Sequence, residues 1–229
     1  MILYFKKSVK IIIVWAFVLA CCLSHVNDAQ ASDAKEQLKI SIDKMNDVQV
    51  PDAQGQLKIS TDKILEILKC SYLQTDENKK KRTEYLSAII NDRFNFRKMS
   101  QLSLSRQWKK ISEKEKETFT KTFGQLLEET YTSKIDAYIS NDIQIVYIKE
   151  NVREKRAKIY TKIINGKFEI PIDYRMYKTE HGKWMIYDLI IEGVSLVGNY
   201  RSQFDQFLQK NSHEALVENL KKKLDENDL

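Results

Sequence analysis

The sequence contains few of the residue types on which disulfide-bonded domains and most enzymes depend. Its 229 residues include three cysteines, three histidines and two prolines. Cys21 and Cys22 lie in an apolar N-terminal run that we expect to be removed, which leaves Cys70 without a partner for an internal disulfide. A disulfide scaffold is therefore excluded, and the fold must be stabilised by its hydrophobic core.

Catalytic motifs are also missing from the sequence. It contains no HExxH, no GxSxG, no glycine-rich phosphate loop and no Cys/His cluster with metal-ligand spacing. His25 lies next to the N-terminal run, His181 in a predicted turn and His213 in the first turn of a predicted helix. We therefore expect no metal, no cofactor and no catalytic residue.

One acidic residue leaves an enzymatic alternative open. Asp188 has the same strand parity as Ile186 and Ile190, and an acid among apolar neighbours can act as a general base with a raised pKa. A cone-shaped α+β enzyme of the isomerase type, acting on a small apolar ligand, would use such a base. The structural alternative is that Asp188 accepts hydrogen bonds from a helix end or from Arg201.

The first residues have the organisation of an export signal. Three lysines among the first ten residues precede an apolar stretch over residues 11–23, and Ala29-Gln30-Ala31 provides a small-residue cleavage site. The apolar stretch is too short to span a bilayer. We expect Sec-dependent export to the periplasm with cleavage after Ala31. The alternative is a lipoprotein acylated at Cys21, although Leu19 fits that pattern poorly.

The chain is mildly basic, with a formal net charge of +6 at pH 7. This excess can serve solubility alone, or it can attract anionic lipid or an acidic partner. The basic runs at residues 79–82 and 221–223 are typical of solvated helix faces. Nucleic acid is not an expected partner, because the chain is predicted to be exported and has no nucleic-acid recognition motif.

Residues 32–56 form a polar segment that we expect to be an arm outside the main domain. The segment contains an imperfect repeat, in which DAKEQLKIS (Asp33–Ser41) recurs as DAQGQLKIS (Asp52–Ser60). Two partial copies are too few for a repeat architecture, which needs several units to bury a core. The repeat therefore indicates a local duplication and no particular function.

Helical periodicity follows over residues 61–138. Thr61 is a candidate N-cap for the first helix. Ser112 and Glu115 form a capping box ahead of a long helix, whose apolar residues recur at intervals of three and four. This inward stripe contains Phe119, Phe123, Leu126, Leu127 and Tyr131.

The hydrophobic period changes to two residues near residue 143. Four strands are predicted, over residues 143–148, 155–164, 167–177 and 183–192. Asn165-Gly166 is a hairpin turn, since both positions accept positive φ. In the third strand Ile170, Ile172 and Tyr174 alternate with polar residues, which predicts one covered face. The fold class is therefore α+β, with a highly twisted four-strand antiparallel sheet and helices packed on one face.

The stretch from Trp184 to Phe204 is the most informative part of the sequence. Its pattern indicates a strand up to Glu192 and an amphipathic helix from Val194, with Gly193 as the flexible link. A strand that passes through one glycine into a helix forms a wall and a corner of a cavity. Because the apolar stripes are broad for one sheet face, we expect an apolar cavity between the sheet and the helices.

Two blocks of the sequence resemble a known family. The first is WMIYDLIIEGVSLVGNYRSQF, and the second is FNFRKMSQLSLSRQW, which is followed by ISEKEKETF and the long helix. Both blocks resemble the signature of the MlaC family of periplasmic phospholipid-binding proteins, also called the toluene-tolerance auxiliary family. The resemblance extends from Thr61 to Leu224.

The resemblance implies a phospholipid-binding domain over residues 57–229 that works as a monomer in the periplasm. It implies exchange of glycerophospholipid between an outer-membrane lipoprotein–porin complex and an inner-membrane ABC transporter with an MCE-domain ring, which maintains outer-membrane lipid asymmetry. The lipid is cargo, not a cofactor, and its tails lie between the sheet and the helices. Arg201 either holds the corner of the fold or meets the lipid phosphate. The implied lipid-binding residues are Phe123, Leu127, Tyr131, Ile159, Ile170, Ile172, Tyr174, Ile186, Ile190 and Val194.

Overall fold

The computed structural model describes residues 52–137, 143–166 and 168–227, and over these residues the helices flank one central meander of strands. The helices are α1 Ala53–Lys69, α2 Lys79–Arg93, α3 Phe96–Leu104, α4 Glu113–Ala137, α5 Leu196–Leu208 and α6 His213–Asn227. The strands are β1 Gln144–Arg153, β2 Arg156–Asn165, β3 Phe168–Lys178, β4 Trp184–Ile191 and β5 Val194–Ser195. The predicted signal sequence and the alternative acylation site at Cys21 lie outside the described residues.

The strands form one antiparallel sheet in the order β1-β2-β3-β4-β5. The predicted α+β class is confirmed, and the short fifth strand is an addition to the four that were predicted. The predicted hairpin turn is confirmed at Gly166, which has a φ of 58°. Positive φ at this position is the conformation that glycine adopts without strain. Asn165 is not a central turn residue as predicted, because it ends β2 and pairs with Phe168.

Helix α1 begins eight residues before the predicted N-cap. The Asp52 carboxylate accepts a hydrogen bond from the Gly55 N–H at 2.7 Å and caps the helix. Thr61 lies inside the helix, where its hydroxyl bonds to the Leu57 carbonyl, so the N-cap prediction was wrong. The predicted boundary between arm and domain, at residue 57, falls inside α1.

A buried arginine joins the first two helices to the sheet. Arg93, at the end of α2, donates to the Ser60 hydroxyl at 2.9 Å, to the Gln56 side-chain oxygen at 2.9 Å and to the Trp184 carbonyl at 2.8 Å. The same Gln56 oxygen accepts from the Trp184 N–H at 2.9 Å. Burial lowers the pKa of Arg93, although Asp92 opposes that shift. Polar contacts therefore fix α1, α2 and β4 relative to one another.

The long helix α4 begins as its sequence predicts. The Glu115 N–H donates to the Ser112 hydroxyl at 3.3 Å, and the Ser112 N–H donates to the Glu115 carboxylate at 2.7 Å. These reciprocal bonds are the predicted capping box. In the turns that follow the cap, Phe119 and Phe123 are fully buried.

The link between β4 and α5 differs from the prediction. Glu192 and Gly193 both have positive φ, 49° and 83°, and together they reverse the chain into β5. Two consecutive positive φ values are typical of a tight hairpin turn. Helix α5 begins only after Ser195, whose hydroxyl accepts from the Gly198 N–H at 2.9 Å. The expected passage of a strand through Gly193 directly into a helix was therefore wrong.

We predict that Gln56→Ala lowers the free energy of unfolding by about 2–4 kcal/mol, because it removes the acceptor shared by Arg93 and the Trp184 N–H within a buried network. Urea denaturation at neutral pH measures the change. Lys58→Ala is the matched control on the same helix, since its ion pair with Asp62 is exposed and is expected to contribute less than about 1 kcal/mol. Equal losses in the two variants would contradict the assigned role of Gln56.

Candidate functional site

The register of the sheet defines one face on which apolar side chains gather. Residues directly opposite each other in an antiparallel pair point to the same face. One continuous row across all five strands contains Tyr147, Thr161, Ile172, Ile191 and Val194. We call the face that carries this row the covered face, because α1 packs on it, and the opposite side the outer face.

The covered face becomes more exposed toward the β2–β3 hairpin. Ile145, Ile163 and Ile170 form the next row, and all three are only half-buried. Phe168, which continues the same parity along β3, is 74% exposed. Toward the other end, Ile159 and Tyr174 are buried under α1. An apolar surface therefore extends from the buried core toward solvent along β2 and β3.

The buried apolar residues separate into two clusters. A helical cluster is built from α3, α4, α5 and α6, and it contains Phe123 and Leu127 with Tyr131 packed against it. A sheet cluster is built from α1 and strands β2, β3 and β4. Phe94 and Leu189 pack against both clusters. Contact between the two cores therefore passes through a narrow apolar neck.

The predicted lipid-binding residues are divided between these clusters. Ile159, Tyr174 and Ile186 are buried in the sheet cluster and Ile172 packs against it. The three residues predicted on α4 belong to the helical cluster, so the structure does not place them in the same core as the sheet residues. Val194 pairs with Ile191 in β5 and is 59% exposed.

A bulge in β4 corrects the predicted position of Ile190. Met176 pairs with Ile186, whereas its neighbour Arg175 pairs with Asp188, so Tyr187 is the extra residue. The inserted residue reverses the faces of the side chains that follow it. Ile186 therefore lies on the covered face, while Ile190 lies on the outer face opposite Asp173. The shared parity predicted for Ile186 and Ile190 was wrong.

Hydroxyl groups interrupt the apolar surface beneath α1. The Tyr147 hydroxyl lies 2.7 Å from the Thr61 hydroxyl, and Thr161 donates to the Ile172 carbonyl at 2.7 Å. Burial raises the pKa of Tyr174 and of Tyr147 above the ordinary tyrosine value. In the helical cluster, burial raises the pKa of Tyr131 to about 12. These tyrosines are therefore uncharged near neutral pH.

Several covered-face residues were not predicted from the sequence. Tyr147 and Ile145 belong to β1, whose alternation is broken by a register shift between Tyr147 and Lys149. Simple alternation along β4 from Ile186 would place Leu189 on the outer face, and only the bulge brings it to the covered face. The alternation of Ile145 and Tyr147 before the shift was the one signal that could have identified the β1 contribution.

Asp188 has a structural role that uses both of its carboxylate oxygens. One oxygen accepts from the Val197 N–H at 3.0 Å, and the other accepts from the Ser195 hydroxyl at 2.7 Å and from Arg175 at 3.0 Å. Because Asp188 lies on the outer face, it points away from the apolar surface. The contacts to Ser195 and Val197 anchor the N-terminus of α5, as the structural alternative predicted. This geometry does not fit a general base for an apolar ligand.

Arg201 also joins elements of the fold. Its Nε donates to the Leu102 carbonyl at 2.8 Å, which ties α5 to α3. This contact fits the predicted role of Arg201 in holding the corner. Among the residues that the structure describes, no group of three or more His, Cys, Asp or Glu side chains could hold a metal ion. No helix in the same described ranges is long and apolar enough to cross a membrane.

Comparisons with known proteins agree on one family. The family model described as MlaC protein matches residues 58–222. The chain is also similar to the intermembrane phospholipid transport system binding protein MlaC of Haemophilus influenzae. The two are 29% identical over 155 residues, which cover 64% of this chain and 72% of that protein.

A solved structure shows the same fold. It is the phospholipid-binding protein from Ralstonia solanacearum in complex with a phospholipid, and it superposes with a TM-score of 0.71 at 22% sequence identity. The match covers 78% of this chain and all of the other. At this identity the similarity establishes the arrangement of helices and strands alone.

We predict that Asp188→Asn lowers the free energy of unfolding by about 3 kcal/mol, because the amide has one acceptor oxygen where the carboxylate has two. Its NH2 group would then face either the Val197 N–H or the donors from Arg175 and Ser195. Thermal unfolding followed by circular dichroism measures the loss. Asp173→Asn is the matched control, since Asp173 forms a more exposed pair with Lys158 and its loss is expected to cost about 1 kcal/mol or less. A fully stable Asp188→Asn variant would contradict the anchoring role.

Proposed function

Because the chain belongs to the MlaC family, we propose that it is a phospholipid carrier that holds acyl tails against the covered face of its sheet and performs no chemical step. The observation that supports this proposal most directly is the half-buried row of Ile145, Ile163 and Ile170. Apolar side chains that face the helices yet remain partly exposed are the lining that a tail-binding slot requires.

The slot that we propose lies between the sheet cluster and the helical cluster. Its sheet wall consists of Ile172 with the half-buried row, and its helical wall is the α4 surface around Leu127 and Tyr131. Phe94 and Leu189 form the floor, since they alone among the named residues pack against both clusters. We propose that the mouth of the slot lies at the β2–β3 hairpin end of the sheet, and the exposed side chains of Phe168 and Val194 support this position.

Burial of acyl tails supplies enough free energy for a carrier without any catalytic group. Each buried methylene contributes about 0.8 kcal/mol, so one tail of ordinary length contributes on the order of 10 kcal/mol. The same quantity makes the unassisted passage of a two-tailed lipid through water very slow. A protein slot that replaces the apolar environment of the bilayer lowers that barrier, and it needs no metal or cofactor.

We further propose that the carrier works in the periplasm as a monomer. Its lipid would be exchanged between an outer-membrane lipoprotein–porin complex and an inner-membrane ABC transporter with an MCE-domain ring, which would maintain the lipid asymmetry of the outer membrane. Family membership and the transport system named for the Haemophilus influenzae relative support this assignment. Export is supported by the signal-like composition of residues 1–31.

We predict that the mature protein, purified from its own host without detergent, contains phospholipid in a fixed molar ratio. Solvent extraction followed by mass spectrometry and phosphate assay measures the ratio. Protein that is folded but contains no stoichiometric lipid would contradict the proposed function.

We predict that Ile172→Asp and Ile170→Asp each reduce bound lipid at least about tenfold, because an unpaired carboxylate in an apolar slot loses its hydration. Val146→Asp is the matched control, since Val146 lies opposite Lys162 on the outer face and is 40% exposed. Circular dichroism confirms that each variant is folded. Normal lipid content in both slot variants would show that the wall is assigned to the wrong side of the sheet.

A further inference from the structure

The β1–β2 hairpin contains most of the net charge of the chain. Residues 144–165 include six Lys and Arg against two Glu, a net charge of +4, whereas the whole chain carries +6. The hairpin is at the edge of the sheet, because β1 has only β2 as a neighbour. Positive charge is thus concentrated in one exposed element of the fold.

The strand register places these cations together on the outer face. Arg153 lies directly opposite Arg156, and Lys158 lies directly opposite Arg175. Like charges directly opposite each other destabilise a sheet. Lys158 and Arg175 each have a carboxylate partner, whereas Arg153 and Arg156 oppose each other with no carboxylate partner among the described residues. A neutral side chain at either arginine would favour strand pairing, so this pair indicates a role outside folding.

The carboxylates of the outer face neutralise only part of this charge. Asp173 pairs with Lys158 at 2.9 Å, and the buried Asp188 pairs with Arg175 at 3.0 Å. Within the described residues, no carboxylate is in ion-pair distance of Lys149, Arg153 or Arg156. No carboxylate of the described residues therefore neutralises these three side chains.

An aromatic ring draws two ammonium groups close together on the same face. The Nζ atoms of Lys149 and Lys158 lie 4.4 Å and 4.2 Å from the centroid of the Tyr160 ring. A ring face attracts cations through its quadrupole, which offsets part of the repulsion between them. Tyr160 therefore holds Lys149 in the group of cations that includes Lys158.

We propose that this basic outer face, formed by Lys149, Arg153, Arg156, Lys158 and Arg175, docks on a bilayer surface rich in anionic phospholipid. Its cations are spread over three neighbouring strands and do not converge on one point, which suits a dispersed array of phosphates better than a single anion. Negative surface potential attracts such clusters and acts over a Debye length. The apolar surface lies on the opposite face, so docking leaves it unobstructed.

The test compares two double neutralisations that remove the same charge from different elements. Arg153→Gln/Arg156→Gln alters the hairpin, and Lys79→Gln/Lys80→Gln alters two exposed lysines of α2. Binding is measured by co-sedimentation with phosphatidylcholine vesicles that contain about one third phosphatidylglycerol, at an ionic strength of about 0.01 M and again at about 0.15 M. Vesicles of phosphatidylcholine alone are the lipid control.

We expect the unmodified protein to bind the anionic vesicles, to bind more weakly at the higher salt and to ignore the neutral vesicles. The hairpin variant should bind about 30-fold more weakly, and the α2 variant within about threefold of the unmodified protein. The hairpin variant should also melt no lower than the unmodified protein, because the opposition of Arg153 and Arg156 is relieved.

Three results would overturn the proposal. They are absence of binding to anionic vesicles, equal weakening in the two variants, and binding that salt does not affect. If the protein did not bind the vesicles but bound an acidic protein in a salt-dependent way, the basic outer face would be assigned to a protein partner instead of a bilayer. The lipid content of the purified variants is independent of these outcomes, since the altered residues lie outside the proposed slot.

Discussion

The bulge at Tyr187 determines which side chains of β4 point to each face of the sheet. Without the extra residue, Asp188 would share a face with Ile186 and place a carboxylate in the apolar core. With it, Ile186 and Leu189 point to the covered face, while Asp188 points to the outer face and anchors the N-terminus of α5. The backbone of the same strand accepts Arg93 from α2 through the Trp184 carbonyl. One inserted residue thus lets β4 give apolar side chains to the covered face and a carboxylate to the N-terminus of α5.

Sequence periodicity predicted the structure correctly in segments whose conformation depends on local residues alone. The capping box at Ser112 and the alternation of Ile170, Ile172 and Tyr174 were predicted correctly, because each depends only on residues two or three positions apart in the sequence. The α+β class followed from the change of hydrophobic period for the same reason. The family resemblance carried by the two sequence blocks was also confirmed.

The errors arose where tertiary contacts outweigh local pattern. Helix α1 begins early because Gln56, Ser60 and Thr61 are buried polar residues, which a periodicity argument counts as surface. Each is accommodated by a partner distant in sequence, such as Arg93 or Tyr147. The face of Ile190 depends on a bulge, and the direction of Val194 depends on a turn at Glu192 and Gly193. Neither the bulge nor the turn alters the hydrophobic pattern from which the faces were predicted.

The residues that hold α1 give the early repeat a consequence for sequence comparison. The first turns of α1 use Asp52 as the cap and bury Ala53, Gln56, Leu57 and Ser60. The same residue types recur nineteen positions earlier as Asp33, Ala34, Gln37, Leu38 and Ser41. A relative's first helix can therefore be aligned to this chain in two ways, nineteen residues apart, that match those five positions equally well. The next two turns of α1 distinguish the two alignments, because there Thr61 bonds to Tyr147 and Leu68 is buried. The alternative alignment has Ile42 and Gln49 at these two positions.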